Sequence, residues 1–277
     1  MSKETEYVLG TDQAELARLE LQHRLWSAQV FALWERAGFS PGHTILDVGC
    51  GPGFATWDLS QLAGPTGNII AVDESERFIQ FLKSDITARS QTTANRTAPI
   101  HARVGDVQRL DLPEGTVDSA YARWVLCFVR DPEAVVAGVA KALKPGGVFA
   151  VQDYFNYTAL TLAPRSEAFD RIIRAVHQSW RDHGGDDDVV ARLPAIMSRC
   201  GLRVREIKPI LRVATPDSPL WQWPNSFFRN YVPRLVEMGF VTRDEQRAFE
   251  EDWAIRSRDP HTFFMTPPVF DVIAHKP

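Results

Sequence analysis

The pattern of hydrophobic and polar residues changes near residue 43. From there to residue 154, short apolar runs alternate with longer stretches in which apolar residues recur every three or four positions. The runs predict strands over 43–49, 67–73, 100–106, 117–124 and 146–154, and the stretches predict helices over 54–63, 75–90 and 132–143. Apolar strands that alternate with helices are typical of a parallel sheet covered on both faces. We therefore expect a doubly wound α/β core.

Two flanking regions show other patterns. Residues 10–37 have the spacing of an amphipathic lead-in helix or a pair of helices. After residue 154, helices are predicted over 160–183, 188–200 and 219–256, and strands over 202–214 and 263–276. These strands bring the sheet to seven, mostly parallel, and the added helices predict a cap on one open face. Pro267 and Pro268 predict an edge position or a bulge for the last strand, because proline donates no ladder hydrogen bond.

The composition is that of an ordinary soluble protein. Hydrophobic residues make up 44% and charged residues 24% of the chain, and the net charge of −4 comes without a basic cluster, which argues against a nucleic-acid partner. No apolar run approaches the ~20 residues of a membrane span. Because the polar N-terminus is unlike a signal peptide, we expect a cytoplasmic protein without a membrane partner. The three cysteines are scattered, which predicts reduced thiols. The sequence leaves the oligomeric state open.

A glycine-rich turn follows the first core strand in "ILDVGCGPG", residues 45–53. Gly49, Gly51 and Gly53 allow the backbone to pass close to a ligand. The dinucleotide pattern G-x-G-x-x-G/A fails at Phe54, and no G-x-x-x-x-G-K-S/T phosphate loop is present. This argues against a nicotinamide-dependent oxidoreductase. The glycines alone also fit a structural turn.

Acidic residues make the prediction sharper. Asp47, Asp73 and Asp106 each stand at the end of one of the first three core strands, so their side chains are expected at the same edge of the sheet. One such aspartate fits a helix cap or a turn equally well. Three behind a glycine turn favour a ligand with a cationic group, a ribose diol and an exocyclic amine. Such a ligand carries positive charge and no phosphate.

The runs "ILDVGCGPG", "VDES", "GDVQRLDLPEGTVDSAYARWVL" and "LKPGG" resemble the class I S-adenosylmethionine-dependent methyltransferases, most closely the branch that acts on small molecules. The resemblance covers residues 43–153. It implies a Rossmann-like fold with S-adenosylmethionine as cofactor, held by residues 43–153. Residues 1–42 would form a helical lead-in or cap, and residues 154–277 the remaining strands and an inserted helical cap that forms the acceptor pocket.

The resemblance also implies roles for individual residues. The three glycines would approach the methionine part of the cofactor, and Asp47 would lie near its ammonium group. Asp73 would accept hydrogen bonds from the ribose hydroxyls. The remaining cofactor contacts would come from Glu74 and Ser75 on the adenine side, Asp106 at the adenine amine, the backbone of Val107, the carbonyl of Arg123, and Tyr7, whose alternative is ordinary packing.

Methyl transfer to a hydroxyl group benefits from a general base, most often histidine. His177, in the predicted helix over 160–183, is the first candidate and His23, in the lead-in helix, the second. For both, a structural role is the alternative. A metal ion is not expected, since Arg123 stands where a metal site would need a carboxylate and Asp153 alone is insufficient.

Aromatic residues are concentrated in "PLWQWPNSFFRNYV", residues 219–232. They are either core or the wall of an acceptor pocket made by Trp221, Trp223, Phe227, Phe228 and Tyr231. The leading hypothesis is methyl transfer to a small, apolar or aromatic acceptor, on oxygen rather than nitrogen or carbon. The alternative is a non-catalytic protein that binds S-adenosylmethionine or S-adenosylhomocysteine as a scaffold or regulator. The identity of the acceptor and of the accepting atom stays open.

Overall fold

The computed structural model of this chain describes residues 9–93 and 96–277. Tyr7 lies outside the described residues. The lead-in is one helix, α1 (Gln13–Ala37), which begins at Asp12, whose side chain accepts a hydrogen bond from the backbone N–H of Glu15. The core elements are β1 (Thr44–Val48), α2 (Phe54–Ala63), β2 (Asn68–Asp73), α3 (Glu76–Thr93), β3 (Ile100–Val104), β4 (Val117–Arg123), α4 (Pro132–Ala142) and β5 (Leu143–Tyr154).

The second half of the chain adds the cap and the last core strands. Its elements are β6 (Thr161–Ala163), α5 (Glu167–Asp182), α6 (Leu193–Arg199), β7 (Arg203–Ile210), β8 (Val213–Ala214), α7 (Gln222–Glu237), α8 (Arg243–Arg256), β9 (Phe263–Met265) and β10 (Val269–His275). Helices α7 and α8 divide the predicted helical stretch 219–256. They do so because Gly239 adopts a left-handed conformation (φ 81°) and Thr242 and Glu245 form a capping box that starts α8.

Seven strands form the central sheet in the order β3-β2-β1-β4-β5-β10-β7. The first five are parallel, and β10 is antiparallel to both of its neighbours. The predicted fold class, a doubly wound and mostly parallel sheet, is therefore confirmed. The strand order reverses between β1 and β4, and ligands bind at such a switch point in this kind of fold.

Helices cover both faces of the sheet because successive strand residues point to opposite sides. On one face, Ile45, Tyr121 and Ala150 pack with residues of α1 and α2. On the other face, Leu46 and Phe149 belong to a larger apolar cluster that includes residues of α4, α5 and α7. This larger cluster joins the core to the cap.

The prediction for the last strand was wrong in two respects. Residues 263–276 hold two strands, β9 and β10, which belong to different sheets, and Pro267 and Pro268 lie between them. Strand β9 is the middle of a three-stranded antiparallel sheet, β6-β9-β8. Strand β10 lies inside the large sheet, and β7 is the edge. The prolines lack the N–H that a strand residue would donate, so they interrupt the strand instead of placing it at an edge.

Among the described residues, no helix has both the length and the apolar character that crossing a bilayer requires.

Candidate functional site

A cleft of about 600 Å³ opens where the parallel strands end. It is lined by nine of the predicted cofactor residues, Asp47, Gly49, Gly51, Asp73, Glu74, Ser75, Asp106, Val107 and Arg123. Gly53 is not part of the lining; it is the N-cap residue of α2. The structure thus brings together, around one cavity, residues that come from the ends of four strands.

The glycine turn has a conformation that larger residues rarely adopt. Gly49, Gly51 and Gly53 have φ angles of 65°, 54° and 87°. A Cβ atom on Gly49 would lie 2.5 Å from the side chain of Val125, whereas a Cβ on Gly51 would meet nothing within 4 Å. The first glycine therefore permits close packing of the segment after β4 against the turn. The second leaves open space beside the cleft.

Asp73 ties this turn to the start of α3. One carboxylate oxygen accepts a hydrogen bond from the backbone N–H of Gly51 at 2.8 Å, and the other accepts one from Ser75 at 2.9 Å. Burial raises the pKa of Asp73, and the two backbone donors oppose that shift. Because each carboxylate oxygen has a second lone pair, both can still accept hydrogen bonds from a diol in the cleft.

Asp47 is a buried carboxyl group at the bottom of the cleft. Its partner is the hydroxyl of Thr56, which donates a hydrogen bond at 2.6 Å. Burial raises the pKa of Asp47 to about 6, although the Thr56 hydrogen bond and the charge of Arg123 act in the opposite direction. A cationic ligand group beside Asp47 would favour its ionised form.

Arg123 lines the cleft and holds one buried donor that has no partner among the described residues. Its Nη2 donates to Nδ1 of His23 at 3.0 Å, and its guanidinium lies 5.1 Å from the centre of the Trp124 ring. Its Nη1 is buried and has no hydrogen-bond partner among the described residues. A buried donor without a partner is costly, so a ligand that accepts from it gains affinity. Sequence reasoning assigned only the carbonyl of this residue to the cofactor.

His23 has no free lone pair. Since Nδ1 accepts from Arg123, the proton must be on Nε2, which donates to the carboxylate of Asp58 at 2.8 Å. The ring therefore links α1 to α2 and to the end of β4. We now regard His23 as a residue that positions Arg123 and not as a base.

His177 does not line the cleft. His177 belongs to α5, and its Nδ1 lies 2.6 Å from the buried carboxylate of Asp187. A different histidine, His183, lines the cleft one residue after the end of α5. Its Nδ1 lies 2.6 Å from the carbonyl oxygen of Ser179. A carbonyl only accepts, so Nδ1 bears a proton, and in the neutral imidazole Nε2 then carries the lone pair. Sequence reasoning missed this residue, whose one available signal is its place before Gly184 and Gly185.

Trp124 separates the cleft from a second cavity. It has a φ of 51°, which is rare and strained for a bulky residue, and such strain is concentrated at functional sites. The indole stacks on Tyr154 at 5.9 Å and on Trp223 at 6.1 Å. Both cavities include Trp124 in their walls. Sequence reasoning did not identify this residue, because a left-handed tryptophan leaves no mark in the sequence.

The second cavity is small, about 40 Å³, and mostly aromatic. Of the five aromatic residues predicted for an acceptor pocket, Trp223, Phe227 and Phe228 line it. The other two do not. Trp221 stacks on Trp253 at 4.8 Å, and the hydroxyl of Tyr231 is hydrogen-bonded to Ser179 at 2.9 Å. The cavity also contains side chains that the prediction did not include, notably Trp124, Trp180, Tyr154 and Tyr157.

Asp153 has a structural role, because its carboxylate binds backbone groups. Its carboxylate accepts hydrogen bonds from the backbone N–H groups of Cys127 and Tyr154, at 3.2 and 2.8 Å, and burial raises its pKa to about 6. It is absent from the lining of both cavities. Across residues 9–93 and 96–277, no three His, Cys, Asp or Glu side chains are grouped so as to hold a metal ion.

The chain is similar to known methyltransferases over its core. A family model described as "Methyltransferase domain" matches residues 46–151. Sterol 24-C-methyltransferase of Eremothecium gossypii is 29% identical over 141 residues, which are 50% of this chain and 36% of that protein. Demethylmenaquinone methyltransferase of Lactococcus lactis is 31% identical over 126 residues, 46% of each chain. The matched region thus spans less than half of either relative.

Solved structures show the same fold. A SAM-dependent methyltransferase from Aquifex aeolicus superposes with a TM-score of 0.51 at 20% identity, over 71% of this chain and 91% of that one.

The residues of the cleft fit S-adenosylmethionine. The guanidinium of Arg123 suits the carboxylate of its methionine part, and Asp47 suits the ammonium group. Asp73 has lone pairs for the ribose diol, and Asp106 lines the same cavity, where it can accept from the adenine amine. Residues 46–151 therefore form a class I S-adenosylmethionine-dependent methyltransferase domain, with S-adenosylmethionine as its cofactor.

Proposed function

We propose that this chain transfers a methyl group from S-adenosylmethionine to a hydroxyl oxygen of a small, apolar or aromatic acceptor. One observation carries the proposal. The cleft that fits the cofactor also contains His183 with a free Nε2, and it shares walls with an aromatic cavity through Gln22, Trp124, Phe128 and Trp180. A cofactor site, a base and an apolar surface thus adjoin one another.

The chemistry follows from these side chains. The bound cofactor supplies a methyl group on a positively charged sulfur. Asp47, Asp73 and Arg123 fix the cofactor, and aromatic residues around Trp124 exclude water from the acceptor, which favours a direct displacement. His183 Nε2 accepts the proton of the acceptor hydroxyl as the oxygen attacks. Positioned bases of this kind contribute roughly 10²–10⁴-fold to the rate.

The relatives support a small and apolar acceptor. Their printed names, sterol 24-C-methyltransferase and demethylmenaquinone methyltransferase, describe methylation of a sterol and of demethylmenaquinone. The first name specifies a carbon atom. Oxygen is proposed for this chain because a lone pair on His183 suits deprotonation of a hydroxyl group.

The test separates binding from turnover. S-adenosylhomocysteine is titrated calorimetrically, with NADH as the control ligand. Turnover is then measured with labelled S-adenosylmethionine and a panel of phenols and apolar alcohols. We expect S-adenosylhomocysteine to bind and NADH not to bind, and we expect a labelled ether as the product. His183→Gln should lose roughly 10²–10⁴-fold in kcat and retain its affinity for S-adenosylhomocysteine. His261→Gln, at an exposed loop position, is the matched control.

Each other outcome has a defined meaning. Binding without turnover on the whole panel would favour the non-catalytic alternative, a scaffold or regulatory protein. A product labelled on carbon or nitrogen would contradict the choice of oxygen. Unchanged turnover in His183→Gln would remove the base from the mechanism.

A further inference from the structure

The small aromatic cavity contains polar groups that have no hydrogen-bond partner among the described residues. Tyr154 and Tyr157 both line it and are each 6% exposed, and among the described residues neither hydroxyl makes a hydrogen bond. Buried tyrosine hydroxyls usually have a partner. Burial raises the pKa of both tyrosines, so both hydroxyls are protonated donors at neutral pH.

Gln22 adds a third donor. Its Oε1 accepts hydrogen bonds from Nη1 of Arg18 at 2.9 Å and from Nε1 of Trp223 at 2.8 Å, and these two donors fix the orientation of the amide. Its NH₂ group makes no hydrogen bond among the described residues, although the side chain is buried and lines both cavities. The amide thus presents donors, and its acceptor oxygen is already used.

Arg18 also lines the cavity, and its charge is compensated there. Its Nε and Nη2 donate to the carboxylate of Glu15, both at 2.7 Å. The tyrosine and amide donors therefore decide the preference: they disfavour an ammonium group and favour an oxygen that accepts hydrogen bonds. The aromatic side chains around these donors would pack against a planar ring.

The volume decides which part of a ligand fits. A cavity must offer about 10–15 Å³ of volume to hold a single water molecule. The cavity of about 40 Å³ therefore has room for a carbonyl or carboxylate group but not for a ring. The ring must lie in the adjoining cleft of about 600 Å³, beside the shared Trp124 wall.

We propose that the acceptor is a hydroxylated aromatic compound that also bears a carbonyl or carboxylate oxygen, and that Gln22, Tyr154 and Tyr157 bind this second oxygen in the small cavity. This inference rests on the proposed function, since it assigns a substrate class to the same cleft. Gln22 and the two tyrosines are specificity-determining residues. The acceptor hydroxyl itself lies in the cleft, towards His183.

The test uses three probes with one ring system: 2-naphthoate, 2-acetylnaphthalene and 2-ethylnaphthalene, which lacks oxygen. Binding to the full chain saturated with S-adenosylhomocysteine is followed by quenching of tryptophan fluorescence, because three tryptophans line the cavity. We expect one or both oxygen-bearing probes to bind at least ~10-fold more tightly than 2-ethylnaphthalene. The stronger of the two identifies the oxygen as carboxylate or ketone.

Two variants test whether residues of the small cavity cause the preference for oxygen-bearing probes. Gln22→Glu keeps both acceptor positions for Arg18 and Trp223 but removes the donors, and Tyr157→Phe removes one hydroxyl. Both variants should reduce the preference for the oxygen-bearing probes, and Gln22→Glu should reduce it more strongly. Their affinity for 2-ethylnaphthalene should stay within about 2-fold of that of the unaltered protein. Gln222→Glu is the matched control, because this exposed glutamine also uses its Oε1 as an acceptor, from Asn225.

Equal affinity for all three probes, or no binding of any of them to a protein that binds S-adenosylhomocysteine, would overturn the inference and leave the cofactor site standing. A preference that persists in both variants would also overturn it. Failure to bind S-adenosylhomocysteine would instead contradict the proposed function itself.

Discussion

At the scale of single residues, the cleft is marked by hydrogen-bonding groups that lack a partner among residues 9–93 and 96–277. Nη1 of Arg123 and the side chain of Gln22 are buried, and Nε2 of His183 makes no hydrogen bond within those ranges. Buried polar groups are normally satisfied, so each exception needs a reason. The carboxylate of the cofactor would supply the partner of Arg123, and the proposed acceptor would supply those of Gln22 and His183.

Asp73→Ala should weaken binding of S-adenosylhomocysteine by about 10- to 100-fold. The mutation would remove the acceptors that we propose for two ribose hydroxyls, and charge-assisted hydrogen bonds contribute about 1.5–3 kcal/mol. It also frees the N–H groups of Gly51 and Ser75, which loosens the turn. Calorimetric titration measures the effect, and Asp244→Ala, at an exposed position on α8, is the control. Unchanged affinity in a folded variant would refute the role of Asp73.

Affinity for S-adenosylhomocysteine should fall as pH drops through about 6. The pKa of Asp47 is about 6 in the free protein because the group is buried, and a bound ammonium would lower that pKa. Binding therefore favours the deprotonated form and releases protons near pH 6. One pH unit below the pKa, the loss should approach about tenfold.

Calorimetry in two buffers with different ionisation enthalpies measures this proton release. Asp47→Asn should abolish the pH dependence over this range. Asp153→Asn should retain it, because Asp153 has a similar pKa but lines neither cavity. If both variants behaved like the unaltered protein, Asp47 would not be the titrating group.

At the scale of elements, α1 holds the cleft together. Its middle is attached by His23 to α2 and β4, and its last turn by Arg36 to the sheet. The carboxylate of Asp271, on β10, accepts from Nη2 of Arg36 at 2.5 Å and from the amide of Gln152 at 2.7 Å. Residues far apart in the chain thereby fix the helix that carries Arg18 and Gln22 to the small cavity.

Arg36→Met should lower the free energy of unfolding by about 3 kcal/mol. The change leaves the carboxylate of Asp271, which is 1% exposed, without its charge partner, and removing one member of a buried pair is costly. Urea denaturation measures the change. Arg24→Met is the matched control, since this arginine of the same helix is 66% exposed and pairs at 3.5 Å, so a change near zero is expected. A loss below 1 kcal/mol for Arg36→Met would contradict the anchoring role.

At the scale of the whole molecule, the core and the cap share one apolar cluster. It runs from Leu46 in the sheet to Phe228 in the cap. The walls of the small cavity combine residues of the core with residues of α1, α5 and α7, and the walls of the cleft combine residues of the core with residues of α1 and α5. Ligand binding should therefore stabilise the molecule as one unit.

S-adenosylhomocysteine at 100 times its dissociation constant should raise the free energy of unfolding by about 2.7 kcal/mol. The reason is mass action, since the ligand binds the folded state alone. Urea denaturation with and without ligand gives the shift, and NADH at the same concentration should give none. Asp73→Ala at that ligand concentration should show a much smaller shift. Two separate unfolding transitions, with one insensitive to ligand, would contradict a single unit.

The sequence predicted the cofactor half of the site better than the acceptor half. Asp47, Asp73 and Asp106 each follow a recognisable strand, and the ends of parallel strands must meet at one edge, so local patterns were enough to bring them together. His183, Trp124 and Gln22 were missed, because nothing near them in the chain marks their role. The hydrogen bond from Trp223 to Gln22 joins residues that are 201 positions apart.

By itself, then, the sequence determined the doubly wound core and the chemistry at the strand ends, since hydrophobic periodicity and glycine turns act over a few residues. Only the tertiary structure decided where Pro267 and Pro268 divide two strands, which histidine keeps a free lone pair, and which polar groups enter the aromatic cavity. Those features depend on packing between α1, α5 and α7. Packing between distant elements is set by the shape of the whole fold and leaves no periodic signal in the chain.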